Sequence, residues 1–93
     1  MVKHIVMYKL KNPADADEMI AKFLSMRGKI EVLKSLCAGK NEVKSARAYD
    51  VALVCEFDSL ECLEIYAGHP VHLPVKEYVH SVIEESHSVD FIC

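Results

Sequence analysis

The sequence of 93 residues has no tryptophan, only three glycines and three prolines, and no C-x-x-C pair among its four cysteines. So few glycines and prolines, together with 27% charged residues, exclude a disordered chain. Cysteines without close pairing do not indicate a metal site, and those inside apolar runs act as small hydrophobic residues. We therefore expect reduced, unreactive thiols at Cys37, Cys55 and Cys62, with Cys93 the most exposed, and no metal or other cofactor.

Long apolar runs and an excess of basic residues are also absent. No apolar run approaches the roughly 20 residues that span a bilayer, and Lys3, Lys9 and Lys11 interrupt the first apolar stretch. Eleven basic and fourteen acidic residues give a net charge of −3, which is a poor electrostatic match for nucleic acid. We therefore expect no membrane or nucleic-acid partner, no secretory signal and a cytoplasmic location.

Hydrophobic residues, in contrast, make up 52% of the chain. A chain of this length forms one domain, residues 1–93, whose core is marginal because a small domain buries little of its surface. A short and apolar chain of this kind is a candidate for covering part of its surface with a second copy of itself.

The apolar pattern predicts an α+β domain with four strands and three helical segments. The predicted strands are residues 3–10, 32–38, 49–57 and 86–92, and the predicted helices begin at Asn12-Pro13, at Asp58 or Ser59, and near Leu73. The helical period of the first helix runs to Ile30, and Gly28 leaves the position of its end open by a few residues. This order predicts a ferredoxin-like four-stranded antiparallel sheet with helices on one face. Because the first and third strands are apolar on both faces, a second identical sheet is expected on the other face.

Three segments carry a resemblance to a known family. They are residues 2–6 (VKHIV), residues 49–59 (YDVALVCEFDS) and the motif Y-x-x-H-P-x-H at residues 66–72. Together they resemble the stress-responsive dimeric α/β-barrel (Dabb) family along almost the whole chain. The resemblance implies two ferredoxin-like protomers that pack sheet to sheet into a barrel around a central cavity.

The resemblance also implies candidate catalytic residues. A plant polyketide cyclase of this family closes its substrate by aldol condensation, and its catalytic tyrosine and histidine match Tyr66 and His72 here. A further active-site histidine of that cyclase matches His4. The cyclase has one more polar cavity residue on its central strand, where residues 51–55 of this chain are apolar.

The residues themselves leave two interpretations of the histidine–proline segment. His72 can act as a general base near neutral pH while the Tyr66 hydroxyl orients a carbonyl. Alternatively, His69 and His72 only stabilise the turn around Pro70 by bonding to backbone groups. The same proline interrupts the helix that an H-x-x-x-H zinc site needs, which argues against metal binding.

Alternation along the first strand places His4, Val6 and Tyr8 on one face. We expect this face to line the interior of the barrel, with the ligand site between each protomer's own sheet and its Tyr66–His72 segment. These residues and His69 would there contact an apolar or aromatic ligand. Three functions follow for a homodimer of this kind. It binds such a ligand, it is a cofactor-free cyclase or lyase that uses His72, Tyr66 and His4, or it is a stress-related structural protein without a ligand.

Overall fold

Four strands and three helices form the fold in a computed structural model that describes residues 1–93. The strands are β1 (Val2–Leu10), β2 (Ser35–Lys40), β3 (Val51–Phe57) and β4 (Ile83–Ile92), and the helices are α1 (Ala16–Leu24), α2 (Leu60–Ala67) and α3 (His72–Val82). The strands form one sheet in the order β2-β3-β1-β4, and every neighbouring pair is antiparallel. This order is that of the ferredoxin-like fold, so the predicted fold class is confirmed.

The connection between α1 and β2 differs from the prediction. Asn12 caps the start as expected, since its side-chain oxygen accepts a hydrogen bond from the Ala14 amide at 3.1 Å. Regular helix ends at Leu24 rather than near residue 30, and turns follow in which Gly28 has a φ of 75°. A further turn joins the Leu33 amide to the Ile30 carbonyl. These turns occupy residues that were predicted as strand, so β2 begins three residues later than expected.

Two local signals set the start of α2 and α3. The Ser59 hydroxyl accepts a hydrogen bond from the Cys62 amide at 3.2 Å, so Ser59 rather than Asp58 caps α2. Helix α3 begins at His72, which places Pro74 in its first turn, where the missing amide proton breaks no helical hydrogen bond. None of the three helices is both long and apolar enough to cross a membrane.

The helices cover one face of the sheet and build the core against it. On β1 the residues on this face are Val2, His4, Val6, Tyr8 and Leu10, and all but the half-buried His4 are buried. Their neighbours on β3 are also buried, as are Met19 and Phe23 of α1 and Tyr66 of α2; the β3 residues are Val51, Leu53, Cys55 and Phe57. The core holds no buried charged side chain, so apolar packing stabilises this layer.

The opposite face of the sheet, called the open face below, has no covering element. Its residues lie on all four strands: Lys3, Ile5, Met7, Lys9, Ser35, Cys37, Gly39, Ala52, Val54, Glu56, Glu85, His87, Val89 and Phe91. Large apolar side chains are exposed here, among them Met7 at 45% and Val89 at 54%. Charged residues lie among them, and Lys3 pairs with Glu56 at 3.9 Å. The open face therefore combines an apolar surface with charged groups, as protein interfaces do.

The four cysteines are free, and their exposure corrects one prediction. Cys55 is fully buried, and burial raises the pKa of its thiol to about 12, which agrees with an unreactive group. Cys93 is exposed as expected and Cys62 is half-buried. Cys37, however, is exposed rather than protected, because alternation along β2 turns Leu36 into the core and Cys37 onto the open face.

Candidate functional site

A cavity of about 270 Å³ lies between the sheet and the helices α2 and α3. Five buried side chains form its floor: Val6, Tyr8, Phe23, Tyr66 and Val79. Five exposed residues form its mouth: Ala67, Lys76, His80, Ser86 and Ser88. His4, Leu63, His72 and Ile83 form the sides. The site is thus apolar at depth and polar at its opening, which is the usual arrangement of a small-molecule pocket.

His72 stands in the wall of this cavity in a defined protonation state. Its Nδ1 lies 3.1 Å from the Ala67 carbonyl oxygen. Because a carbonyl only accepts, Nδ1 carries the proton and Nε2 carries the free lone pair. Burial lowers the pKa of the imidazole, the bond to Ala67 partly opposes this, and the charge of Lys76 lowers it further. His72 is therefore a neutral base at neutral pH, with its acceptor nitrogen unpartnered in the protein.

The ring of Tyr66 packs against the imidazole of His72. The two rings are stacked, with centroids 4.3 Å apart and an interplanar angle of 29°. The Tyr66 hydroxyl is buried and has no hydrogen-bond partner, and burial raises its pKa well above the usual value. Phe57 also packs against the Tyr66 ring, with centroids 5.1 Å apart. The ring of Tyr66 thus fixes the imidazole plane, while its hydroxyl is enclosed in the cavity floor.

His4 is held by a second polar contact at the end of the sheet. Its Nδ1 bonds to the Asp90 carboxylate on the neighbouring strand β4. The His4 ring meets the Tyr66 ring edge to face, with centroids 6.1 Å apart. A carboxylate on Nδ1 fixes the orientation of the ring and leaves Nε2 as its other functional nitrogen. His4, Tyr66 and His72 therefore form one continuous ring cluster along the cavity.

His69, which was predicted as a ligand-binding residue, does not line the cavity. Its Nδ1 accepts a hydrogen bond from the Val71 amide at 3.1 Å, and its Nε2 lies 3.3 Å from the Glu31 carboxylate. Both ring nitrogens are thus used to hold the turn between α2 and α3. Both histidines therefore bond to backbone groups of the turn, as the structural interpretation predicts, and His72 in addition lines the cavity.

The cavity lies at the place predicted for a ligand site, between the protomer's own sheet and its Tyr66–His72 segment. His4, Val6 and Tyr8 do share one face, and all three line the cavity. That face is the one covered by the helices and not the open face that would meet a second sheet. The candidate site therefore lies inside one protomer, and that a ligand binds there stays a prediction.

Sequence reasoning missed five polar residues at or beside the cavity: Lys76, His80, Ser86, Ser88 and Asp90. Two periodic patterns in the sequence indicate these residues. Lys76 and His80 follow His72 at intervals of four, which is one face of a helix. Ser86, Ser88 and Asp90 alternate along one face of a strand. No three histidine, cysteine or carboxylate side chains converge closely enough to hold a metal ion.

Comparison with known proteins assigns the family. The family model of the stress responsive A/B barrel domain matches residues 2–93, which is nearly the whole chain. The chain belongs to the stress-responsive A/B barrel family. It is similar to a stress-response A/B barrel domain-containing protein of Arabidopsis thaliana, at 31% identity over 96 residues. The match covers 99% of this chain but only 36% of that protein, so the chain spans about a third of its relative's length.

Solved structures of similar fold include proteins with and without a described activity. A dimeric protein of unknown function with a ferredoxin-like fold from Bacteroides fragilis is 26% identical, with a TM-score of 0.87 over 99% of this chain and 95% of the other. The hydroxynitrile lyase of Passiflora edulis is 18% identical, with a TM-score of 0.85 over 99% of this chain and 92% of the other. The second likeness is one of fold alone. A shared fold therefore does not by itself assign a function to this chain.

The protonation of His72 predicts how the stability of this A/B barrel protein varies with pH. Folding lowers the pKa of His72 below its ordinary value of 6.5. At a pH between the pKa of the folded chain and that of the unfolded chain, the unfolded chain binds a proton at His72 that the folded chain does not. The contribution of His72 to stability is therefore present above pH 6.5 and lost as the pH falls through this window. Urea unfolding of the wild type and His72→Gln, at about pH 7.5 and about pH 5.5, measures it. The wild type is expected to lose more stability on acidification than the variant, and equal losses would contradict the assigned state of His72.

Proposed function

We propose that the chain binds a small apolar or aromatic molecule in the cavity between its sheet and its helices. The observation that carries this proposal is the lining of the cavity, in which eight of fourteen residues are hydrophobic and the polar groups gather at the sides and mouth. A dry cavity of about 150 Å³ holds one benzene molecule. A cavity of about 270 Å³ is therefore large enough for a ring with a short substituent.

Filling the cavity from within tests this proposal. Val6 is 7% exposed and belongs to the floor, so the indole of Val6→Trp occupies the space that a ligand needs. Binding of 3-phenylpropan-1-ol, followed by ligand-observed NMR, is expected to disappear in Val6→Trp. The matched control is Val43→Trp, because Val43 is 75% exposed and lies in the loop between β2 and β3.

A second variant that blocks the cavity keeps the test valid where Val6→Trp fails to fold. Overpacking a core position costs typically 1–3 kcal/mol, so circular dichroism must show that Val6→Trp is folded. Ala67→Trp blocks the mouth from an exposed position and places no strain on the core. If 3-phenylpropan-1-ol bound to both folded variants as tightly as it binds to the wild type, the assignment of the cavity as the site would be refuted.

We also propose that the protein is a homodimer in which the open faces of two copies meet. The exposed side chains of Met7, Val89 and Phe91 support this, because a monomer would leave them in water. The similar Bacteroides fragilis protein is described as dimeric. We also propose a cytoplasmic location. The four free cysteines are consistent with the reducing conditions there.

The state of His72 favours a second candidate function, a cofactor-free lyase. A neutral imidazole with a free Nε2 beside an apolar cavity can take a proton from a hydroxyl group. When the hydroxyl belongs to a hydroxynitrile, the electrons of the O–H bond form the carbonyl, the bond to the nitrile carbon breaks, and cyanide leaves. The imidazolium then returns the proton to cyanide, so the histidine is regenerated. Stacking on Tyr66 would position the ring for this transfer.

A further inference from the structure

The mouth of the cavity carries basic and hydrogen-bonding side chains but no acidic one. It contains one lysine, one histidine and two serines, and the sides add His4 and His72. No aspartate or glutamate is among the fourteen residues that line the cavity, although the whole chain has more acidic than basic residues. The lining itself therefore offers hydrogen-bond donors and a positive charge, and the carboxylate of Asp90, which lies beside it, is bonded to His4.

Lys76 is the source of that charge, and it is free to bind. Two exposed lysines pair with carboxylates, Lys34 with Asp58 at 3.3 Å and Lys40 with Asp17 at 3.1 Å, whereas several others make no ion pair and lie outside the cavity. Lys76 makes no ion pair with any residue of the chain and yet lies in the cavity wall. An anionic group on a ligand is the complementary partner for such a side chain.

We propose that the cavity selects small apolar or aromatic carboxylates, and that Lys76 is the residue that binds the carboxylate. This inference rests on the proposed binding function and adds the ligand class to it. The apolar part of the ligand packs on the floor, against side chains such as Val6 and Phe23. The carboxylate lies at the mouth, where Lys76 pairs with it and the hydroxyls of Ser86 and Ser88 are placed to donate to it.

The spacing along α3 relates the bound carboxylate to the base. Lys76 follows His72 by one helical turn, which separates their Cβ atoms by about 5–6 Å. A ligand held by its carboxylate at Lys76 therefore places the atoms next to the carboxylate near the imidazole. The cavity volume of about 270 Å³ limits this ligand to about one ring and a short chain.

Two probes of the same shape test the ligand class. 3-Phenylpropanoate carries the carboxylate, and 3-phenylpropan-1-ol is its neutral counterpart. The wild type is expected to bind the carboxylate about ten-fold more tightly than the alcohol, because the added contact is a charge-assisted hydrogen bond. The preference should shrink as salt is added, since the mouth is exposed to solvent.

Substitution at Lys76 assigns the preference to one residue. Lys76→Met is expected to abolish the roughly ten-fold preference by weakening carboxylate binding, whereas Lys76→Arg retains the preference. Both variants occupy an exposed helical position and should fold as the wild type does. Lys44→Met is the matched control, because Lys44 lies in the loop between β2 and β3 and outside the cavity.

The outcomes separate this inference from the function on which it rests. Equal affinity of the wild type for the two probes, or a carboxylate preference that survives Lys76→Met, overturns the role of Lys76 and leaves cavity binding intact. Failure of both probes to bind the wild type counts against cavity binding itself and against the inference with it.

Discussion

Val54→Asp is expected to convert the proposed homodimer into monomers. Val54 lies on the central strand β3 and pairs across the sheet with Ile5, in the middle of the open face. An aspartate there would place one unpaired carboxylate from each copy in the interface. Burying an unpaired charge costs several kcal/mol, and each 1.4 kcal/mol is a factor of ten, so the dissociation constant should rise about 10³-fold or more.

Sedimentation equilibrium at low micromolar concentration measures this change. The wild type is expected at about twice the protomer mass of 10.5 kDa and the variant at the protomer mass. Val43→Asp introduces the same charge at an exposed loop position and should remain dimeric. A wild type that sediments as a folded monomer, or a Val54→Asp variant that remains dimeric, would contradict pairing through the open face.

For the lyase candidate, His72→Ala is expected to lower the rate of mandelonitrile cleavage by about 10²–10⁴-fold, the usual contribution of a general base. The physical reason is the loss of Nε2, the acceptor that the Ala67 carbonyl keeps free by fixing the proton on Nδ1. Release of benzaldehyde, followed by its absorbance and corrected for spontaneous breakdown, measures the rate.

Two controls accompany this assay. Val6→Trp should also lose activity, because the substrate cannot enter a filled cavity, whereas Val43→Trp should keep it. The wild-type rate should fall as the pH drops through the lowered pKa of His72, because the base is then protonated. Enzymatic cleavage at the same rate in wild type and His72→Ala would remove His72 from the reaction.

The sequence predicted the fold because its local signals agree with one another. The apolar runs of β1 and β3, the Asn12 cap and the order of elements lead to one sheet topology. The sequence could not show which face of β1 the helices cover, because both faces are apolar. The place of the site, between the sheet and the Tyr66–His72 segment, came instead from the family resemblance, and a cavity lies there.

The histidines show the same limit at the level of single residues. His69 and His72 are equivalent as sequence signals, since both flank Pro70 within one motif. Only the turn geometry separates them, because it directs His69 toward Glu31 and His72 toward the cavity. Lys76 and Asp90 could have been found by extending the helical and strand periods past the motif, but their partners depend on contacts distant in sequence.

The five histidines allow the most direct test of ligand binding in the cavity. His4, His72 and His80 line it, whereas His69 holds a turn and His87 lies on the open face. The measurement is a titration of protein carrying ¹³C-labelled histidine with 3-phenylpropan-1-ol, in which each imidazole resonance is followed by NMR. We expect the resonances of His4, His72 and His80 to shift together while those of His69 and His87 stay in place. A shift of His87 with His72 unmoved would place the ligand on the open face and contradict the account, as would the absence of any shift.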